Sequence, residues 1–266
     1  MKNALIFGEG FIGSRLQKAY QCNMSTERIS NISDALAEIY KYDTRVIINC
    51  IGYTGLRNVD DCETEPMRTI NSNVTVPIIL AEAAFQAGIK FVHISSGCIY
   101  HYNYAKDSPI TEEQEPDFFD LLYSRTKIYA EKAISPLDPL IVRIRIPVDD
   151  RPHPRNIITK LLSFSRILDL PNSVTYIPDF IHTLRRLIKY NYTGIFNVVN
   201  EGGLRYPDIL DMFGVRYEKI TMKDFPTPRT NLLMSVDKLK RIDRVRNIND
   251  VLEECVNSYK DHLTIK

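Results

Sequence analysis

The sequence predicts an α/β protein with a doubly wound parallel sheet and a small lobe formed by the C-terminal part of the chain. Short apolar runs rich in β-branched residues alternate with longer stretches of helical periodicity, which is typical of βαβ units with right-handed crossovers. A glycine-rich loop lies between the first apolar run and the first helix. Beyond residue 146, closely spaced prolines interrupt the alternation and indicate a change of architecture.

The alternating part of the chain supplies the predicted core, residues 1–146. In chain order, its segments predict a strand over 4–7, a helix over 11–20, a strand over 45–49, a helix over 73–87, a strand over 90–95, a helix over 118–134 and a strand over 140–146. We expect residues 147–266 to form most of the smaller lobe, with a terminal helix over 248–261. One further strand, near 194–200, can return to the core sheet.

Composition and charge exclude several classes of protein. Of the 266 residues, 44% are hydrophobic, which is enough for a sizeable core. The net charge of +1 gives no field that would attract nucleic acid or an anionic membrane. No apolar run reaches the ~20 residues of a membrane helix, and the N-terminus lacks the regions of a signal peptide. We therefore expect neither a nucleic-acid nor a membrane partner.

The five cysteines are odd in number and scattered along the chain, without CxxC spacing. This pattern argues against a disulfide framework and against a zinc site, and it is typical of a reducing compartment. We therefore expect a cytoplasmic protein that holds no metal.

The glycine-rich loop reads GEGFIG over residues 8–13, between a predicted strand and a predicted helix. In that setting GxGxxG is typical of a dinucleotide site, because Gly8 permits a tight turn, Gly10 lets the backbone approach a pyrophosphate, and Gly13 lets helix and strand pack closely. Phe11 and Ile12 begin the helix whose free N–H groups would face the anion. The loop predicts a Rossmann core that binds a dinucleotide.

The segment STER over residues 25–28 decides which dinucleotide is expected. An acidic residue at this distance favours NAD and a nearby arginine favours NADP, and the segment offers both Glu27 and Arg28. Arg28 beside the hydroxyls of Ser25 and Thr26 is typical of a phosphate clamp, so we predict NADPH (NADP) as the cofactor. An exposed Glu27-Arg28 pair without a cofactor role is the alternative.

Tyr123 and Lys127 form a YxxxK pair near the start of a long predicted helix, where residues four apart share a face. An ammonium near a phenol favours the phenolate, which lowers a pKa of ~10 towards neutrality. By itself the YxxxK spacing is equally compatible with two exposed side chains that have no catalytic role. Its position after a strand that ends in Ser95-Ser96 makes it a candidate catalytic pair.

Together these features resemble the extended short-chain dehydrogenase/reductase family. The resemblance rests on the glycine loop over 8–13, the strand end NCIG over 49–52, Ser96 and the pair Tyr123/Lys127. It implies a catalytic triad of Ser96, Tyr123 and Lys127. Tyr123 and Lys127 are also expected to bind the cofactor, as are Asn49 and Gly52. The glycine loop is one residue tighter than the family's usual GxxGxxG, since position 7 is Phe.

A narrower resemblance covers nearly the whole chain. Four stretches carry it: GYTGLRNVDDCE over 52–63, SGCIY over 96–100, PRNIITK over 154–160 and PRTN over 228–231. In order and spacing they are similar to the 3,5-epimerase/4-reductase family that completes UDP-L-rhamnose synthesis in plants and some viruses. That family is similar in turn to dTDP-rhamnose reductases and GDP-fucose synthases. The resemblance implies that Cys98 and Lys160 are the acid/base pair of the epimerisation.

The chemistry of inversion is compatible with two groups on separate segments, because one proton leaves one face of the sugar and another arrives on the opposite face. Without the resemblance, Cys98 would be read as a small buried hydrophobic residue and Lys160 as a solvated one. For the substrate, Arg229 is suited to bidentate contact with a diphosphate. Asn156 lies at a predicted helix start and Asn231 ends the last of the four stretches, so both are predicted to bind substrate.

We therefore hypothesise an enzyme whose substrate is a nucleotide sugar. It would epimerise C3 and C5 of a 4-keto-6-deoxy-hexose nucleotide and then reduce C4 with NADPH. We expect the substrate to be UDP-4-keto-6-deoxy-glucose and the product to be UDP-L-rhamnose. Ser96 and Tyr123 would hydrogen-bond the C4 oxygen in both steps. A GDP- or dTDP-linked substrate, a reductase without epimerase activity and a non-catalytic NADP-binding regulator are the alternatives, and a homodimer is left open.

Overall fold

The computed structural model of the protein describes residues 1–225 and 227–264. The chain forms two compact units, each assembled from three stretches. The first unit comprises Met1–Ile99, Pro116–Arg143 and Asn191–Phe196. The second unit comprises Tyr100–Glu115, Ile144–Tyr190 and Asn197–Lys266. Across the described ranges, no helix combines the length and the apolar character needed to cross a membrane.

Strands and helices alternate through the first half of the chain. The strands are β1 (Ala4–Phe7), β2 (Asn23–Ser25), β3 (Val46–Asn49), β4 (Lys90–Ser96), β5 (Leu140–Ile144), β6 (Pro147–Val148), β7 (Arg166–Leu168), β8 (Thr175–Tyr176), β9 (Gly194–Asn197) and β10 (Glu218–Ile220). The α-helices are α1 (Phe11–Tyr20), α2 (Ile32–Lys41), α3 (Pro66–Ile70), α4 (Val76–Gln86), α5 (Leu122–Ile134), α6 (Ile157–Leu161), α7 (Ile177–Lys189), α8 (Tyr206–Phe213), α9 (Asp237–Lys240) and α10 (Ile248–Thr264).

A six-stranded sheet with the order β2-β1-β3-β4-β5-β9 organises the first unit. β1 pairs in parallel with both β2 and β3, and β3 pairs in parallel with β4. Because the chain starts in the middle of the sheet and winds outwards in both directions, the predicted doubly wound parallel fold is confirmed. The strand order reverses between β1 and β3, where open α/β sheets bind ligands beyond the carboxyl ends of the strands.

The core of the first unit explains why its strands are so apolar. β1 is buried along its whole length. Leu5, Ile47 and Phe91, from three neighbouring strands, pack in one cluster with Ala35 of α2 and Leu80 of α4. Since helices cover both faces of a parallel sheet, such strands alternate little between apolar and polar residues.

The helix predicted over 73–87 is longer and less regular than expected. It begins at Pro66 as α3, continues through a π-helical turn over Asn71–Thr75, and ends as α4 at Gln86. A π turn shifts the helical register, which is why period-3.6 spacing detected only its second half. The helix predicted over 118–134 begins later, at Leu122, and the terminal helix extends to Thr264.

The second unit contains two small parallel sheets, β7 with β10 and β6 with β8. α10 supplies much of its core, because Val251, Cys255 and Tyr259 recur every fourth residue on one buried face. Ile158 of α6 and Leu210 of α8 pack into the same cluster. This unit also takes residues 100–115, which the sequence analysis placed in the core domain.

Candidate active site

The glycine loop has the geometry that a pyrophosphate cradle requires. Gly8 has φ +105°, and a Cβ there would lie 2.7 Å from the carbonyl carbon of Cys50. A Cβ on Gly13 would lie 1.8 Å from the Gly8 carbonyl oxygen. A Cβ on Gly10, by contrast, would meet nothing within 4 Å. The loop therefore closes against its own backbone at Gly8 and Gly13 and stays open at Gly10.

The open side of the loop coincides with the start of α1. Gly10 is the N-cap residue, and the first turn, which contains Phe11 and Ile12, holds no acidic side chain. The first backbone N–H groups of a helix have no partner within the helix and carry its positive dipole end, so they favour an anion. These residues fit a dinucleotide pyrophosphate.

Arg28 lies three residues beyond the carboxyl end of β2. Its side chain is exposed, as is that of Glu27, and no hydrogen bond or ion pair joins Arg28 to another described residue. The hydroxyl of Ser25 instead accepts a hydrogen bond from the backbone N–H of Glu27, at 3.2 Å. Both ribose-selecting candidates therefore remain accessible to a ligand.

Asn49 ends β3 and is completely buried. Its Oδ1 accepts a hydrogen bond from the backbone N–H of Ile51 at 3.0 Å, and its Nδ2 lies 3.1 Å from Nδ1 of His93. These contacts shape the turn that leads to Gly52 and that packs against Gly8. Asn49 therefore fixes the turn that borders the predicted cofactor site.

Asn73 is a buried residue of the site that the sequence analysis missed. Its Oδ1 accepts from the backbone N–H of Tyr53 at 2.7 Å, and its Nδ2 donates to the Tyr53 carbonyl at 3.0 Å and to Oγ1 of Thr126 at 3.1 Å. Thr126 Oγ1 in turn donates to the carbonyl of Tyr123 at 2.7 Å. Asn73 thus ties the loop after β3 to helix α5.

Ser96 and Cys98 lie at the carboxyl end of β4. Oγ of Ser96 accepts a hydrogen bond from the backbone N–H of Cys98 at 3.1 Å. The carbonyl of Cys98 accepts from Oγ of Ser124, on α5, at 2.5 Å. The structure therefore joins the segment that carries Ser96 and Cys98 directly to the helix that carries the YxxxK pair.

Tyr123 and Lys127 are both buried and lie one turn apart on α5. The ring of Tyr123 packs in a small cluster with Tyr53 and Cys62, against which Cys98 also packs. Nζ of Lys127 donates to the carbonyl of Ile94 at 3.1 Å. Burial lowers the pKa of Lys127 to about 8, although the nearby carboxylate of Glu131 opposes this shift.

The second unit holds the remaining predicted residues. Asn156 caps α6: its Oδ1 accepts from the backbone N–H groups of Ile158 and Asp149, and its Nδ2 donates to the carbonyls of Asp149 and Arg151. Its amide is thereby fully occupied within the protein. Lys160 lies one turn further along α6, and burial, with a contribution from the positive charge of Arg155, lowers its pKa.

A cavity of about 280 Å³ in the second unit is lined in part by Arg229 and Asn231. The guanidinium of Arg229 lies 5.5 Å from the ring centre of Phe225. The amide of Asn231 donates to the hydroxyl of Tyr104 and to the carbonyl of Pro171, and it accepts from Asn172. Asn231 therefore holds the cavity wall together.

Arg145 is a second buried residue that the sequence analysis missed. Its Nε donates to Oδ1 of Asn172 at 2.9 Å, and its two Nη groups donate to the side chain and the carbonyl of Thr230, at 3.0 and 2.6 Å. Arg145 thus fixes the residue that follows Arg229. The two arginines of the otherwise apolar stretch LIVRIRI, over 140–146, were the available signal.

Comparison with known proteins assigns the family. Residues 3–166, which are more than half of the chain, match the family model described as the RmlD substrate binding domain. The chain belongs to this family. The resemblance predicted from the sequence, to the rhamnose-forming branch of the extended short-chain dehydrogenases/reductases, is confirmed.

Three relatives show how far the similarity reaches. A bifunctional dTDP-4-dehydrorhamnose 3,5-epimerase/dTDP-4-dehydrorhamnose reductase from Arabidopsis thaliana is 30% identical over 90% of this RmlD-family chain and 86% of its own length. The crystal structure of a UDP-rhamnose synthase from Acanthamoeba polyphaga mimivirus is 27% identical, with a TM-score of 0.90 over 96% of this chain and 98% of that one. A dTDP-4-dehydrorhamnose reductase from Bacillus anthracis, solved in complex with NADP, shares the fold at 20% identity, with a TM-score of 0.80 over 96% and 97% of the two chains. The chain spans only 39% of the length of a longer Arabidopsis relative that it also matches.

Proposed function

We propose that the protein is an NADPH-dependent enzyme that epimerises C3 and C5 of a nucleotide-linked 4-keto-6-deoxy-hexose and then reduces C4. The observation that carries this proposal is the buried Tyr123/Lys127 pair on α5, the helix that Ser124 joins by a hydrogen bond to the segment of Ser96 and Cys98. The family assignment and the chemistry named in the relatives support it.

In the reductive step, residues of the chain donate a proton and stabilise the negative charge that develops on the C4 oxygen. NADPH, when bound, supplies the hydride. Tyr123 gives its phenolic proton to the C4 oxygen, and Ser96 donates a hydrogen bond to the same oxygen. The ammonium of Lys127 stabilises the phenolate that Tyr123 leaves behind.

The cofactor is held by the glycine loop and the turn after β3. Gly10 and the first turn of α1, which contains Phe11 and Ile12, bind the pyrophosphate. Gly8 and Gly13 allow the tight loop that keeps this backbone close to the pyrophosphate. Arg28 pairs with the 2′-phosphate of NADPH, because its guanidinium is exposed and uncommitted among the described residues. Asn49 shapes the turn that carries Gly52.

In the epimerisation, Cys98 and Lys160 act as the acid/base pair. The C4 ketone acidifies both neighbouring carbons, and Ser96 with Tyr123 stabilises the enolate oxygen. A lysine whose pKa is lowered by burial can exchange a proton nearer to neutral pH than a solvated one. Lys160 therefore has the electrostatic setting that an acid or base needs.

For the nucleotide, we propose UDP and assign the diphosphate contact to Arg229. The mimivirus relative and the longer Arabidopsis relative are named for UDP sugars, whereas the bifunctional Arabidopsis relative is named for dTDP sugars. Asn156 and Asn231 stay predicted residues of the substrate site, where their amides hold α6 and the cavity wall through hydrogen bonds within the protein.

The test is incubation of the full chain with NADPH and UDP-4-keto-6-deoxy-glucose, with identification of the product sugar by NMR. We expect NADPH oxidation and UDP-L-rhamnose. Matched reactions with the dTDP- and GDP-linked sugars should show lower kcat/KM. A product reduced at C4 but not inverted at C3 and C5 would leave a reductase only, and bound NADPH without turnover of any of the three sugars would overturn the proposal.

A further inference from the structure

A buried carboxylate, that of Glu131, lies one helical turn beyond Lys127 on α5. Glu131 follows Lys127 by four residues and Tyr123 by eight, so that all three share one face of α5. Glu131 and Lys127 are each 4% exposed. An acidic residue one turn from a catalytic lysine, and equally removed from water, acts on that lysine at a low effective dielectric constant.

Two neighbouring strands hold this carboxylate in place. Arg143 of β5 donates from Nε to both carboxylate oxygens, at 3.2 and 3.1 Å, and from Nη2 at 2.6 Å. Ser95 of β4 donates its hydroxyl to the same carboxylate. A buried ion pair of this kind adds little net stability, because desolvation of both charges offsets their attraction. Its value to the fold therefore needs another explanation.

The charges that face Lys127 identify that explanation. Cys50, after β3, has a pKa raised to about 12 by burial, and its thiol stays neutral. His93, on β4, has a pKa well below its usual range because it is buried near Lys127, so its ring is neutral as well. Arg143, on β5, is a cation. Among the described residues that face Lys127, Glu131 is the one anion.

We propose that Glu131 is a positioning residue for the Tyr123/Lys127 pair: anchored by Arg143 and Ser95, its carboxylate keeps Lys127 charged. Burial alone drives Lys127 towards its neutral form, and a neutral amine cannot stabilise a phenolate. Glu131 thereby sets the acidity of Tyr123 without touching substrate. The inference deepens the proposed function and rests on it for its catalytic consequence.

The test follows phenolate formation of Tyr123 in the full chain, without substrate, by absorbance titration. Each variant is measured with and without an added Tyr123→Phe substitution, and the difference isolates one tyrosine from the other fourteen of the 15 in the chain. Glu131→Gln should raise the midpoint of Tyr123 ionisation by about one pH unit or more, because the cation that favours phenolate is lost. The alkaline limb of kcat/KM for reduction should move upwards with it.

A double variant separates this role from simple charge balance. Glu131→Gln/Arg143→Met removes both members of the ion pair and leaves no uncompensated buried arginine. If Glu131 serves Lys127, the midpoint stays raised in the double variant. A return to the wild-type midpoint would show that Glu131 only neutralises Arg143, and this would overturn the proposal. Should the single variant fail to fold, the double variant decides the question by the same two outcomes.

Glu38 provides the matched control, because it is also a buried glutamate, paired with Lys41 on another helix of the first unit. Glu38→Gln should leave the Tyr123 midpoint unchanged. The titration does not depend on the identity of the sugar. An enzyme that turns over none of the proposed substrates, yet shows the shift in Glu131→Gln, would contradict the proposed function and not the role of Glu131. An unchanged midpoint in an active Glu131→Gln enzyme would do the reverse.

Discussion

The two units hold their candidate residues in different ways. In the first unit, Tyr123 and Lys127 lie on a helix of 13 residues, and the next turn of that helix carries Glu131, which forms a buried ion pair with Arg143. In the second unit, Lys160 lies on a helix of only five residues and Arg229 lies in a loop. The amides of Asn172 and Asn231 form hydrogen bonds around that loop, together with the guanidinium of Arg145.

The difference predicts separate tasks for the surroundings of Tyr123 and Lys127 and for the loop of Arg229. Buried charges can tune the acidity of a neighbouring group, whereas amides fix shape and leave charge unchanged. We therefore expect substitutions in the first unit to alter kcat, its pH dependence or cofactor affinity. Substitutions around the loop of the second unit should alter mainly KM for the nucleotide sugar.

Tyr123→Phe should give the largest effect, because it removes only the hydroxyl that we propose as the proton donor of the reduction. We expect kcat for NADPH oxidation to fall about 10³-fold, within the range attributed to general acids. Cofactor affinity, measured by fluorescence titration, should stay within twofold of wild type. Rapid NADPH oxidation by this variant would assign the acid to another residue.

Arg28→Ala tests the outer edge of the same unit. Loss of charge-assisted hydrogen bonds to a 2′-phosphate costs about 1.5–3 kcal/mol, which corresponds to roughly 10- to 100-fold in affinity. We expect Kd for NADPH to rise by that factor while Kd for NADH changes little. Equal losses for both cofactors would assign Arg28 a role unrelated to the phosphate.

Gly10→Ala and Gly13→Ala form a matched pair in the glycine loop. The added methyl of Gly13→Ala would collide with the Gly8 carbonyl oxygen, so we expect a loss of about 1–3 kcal/mol in the free energy of unfolding. The methyl of Gly10→Ala meets open space, so Tm should be unchanged. It should nevertheless weaken NADPH binding, since it fills the approach to α1. Unchanged NADPH affinity in Gly10→Ala would move the pyrophosphate away from this loop.

Arg145→Met should have the smallest effect, and it tests the loop of the second unit. It removes the hydrogen bonds that fix Thr230, next to Arg229. We expect KM for the nucleotide sugar to rise about fivefold, with kcat and the Kd of NADPH nearly constant, because each lost hydrogen bond is worth about 1 kcal/mol. Arg186→Met, which breaks an ion pair with Asp243 in the same unit, is the control and should leave KM unchanged. An altered kcat in Arg145→Met would break the division of tasks.

The sequence predicted the sheet well where strands are long and apolar. It missed β2, because Asn23, Met24 and Ser25 form a strand of three mostly polar residues that leaves no periodic signal. It also missed α2, although the helix starts with a capping box at Asn31 and Asp34 that was readable in advance.

The candidate site was predictable where local spacing determines geometry. Tyr123 and Lys127 share a helix face because they are four residues apart, and the same rule, applied once more, would have found Glu131. The partner of Glu131 could not be found in this way, since Arg143 reaches it only because β5 lies beside β4 in the sheet. Asn73 was hidden because a π turn alters the face on which its side chain lies.

In the proposed mechanism one oxyanion site serves both reactions, and solvent exchange at C3 and C5 tests this most directly. The enzyme is incubated with the UDP-linked keto-sugar and NADPH in deuterated buffer, and deuterium at C3 and C5 is measured by NMR. Tyr123→Phe should still exchange both hydrogens, more slowly by the ~3 kcal/mol that one oxyanion donor contributes, while NADPH is not consumed. Cys98→Ala should lose the exchange, and Lys160→Met should permit at most partial exchange without an inverted carbon. Full epimerisation by either the Cys98 or the Lys160 variant would contradict the account.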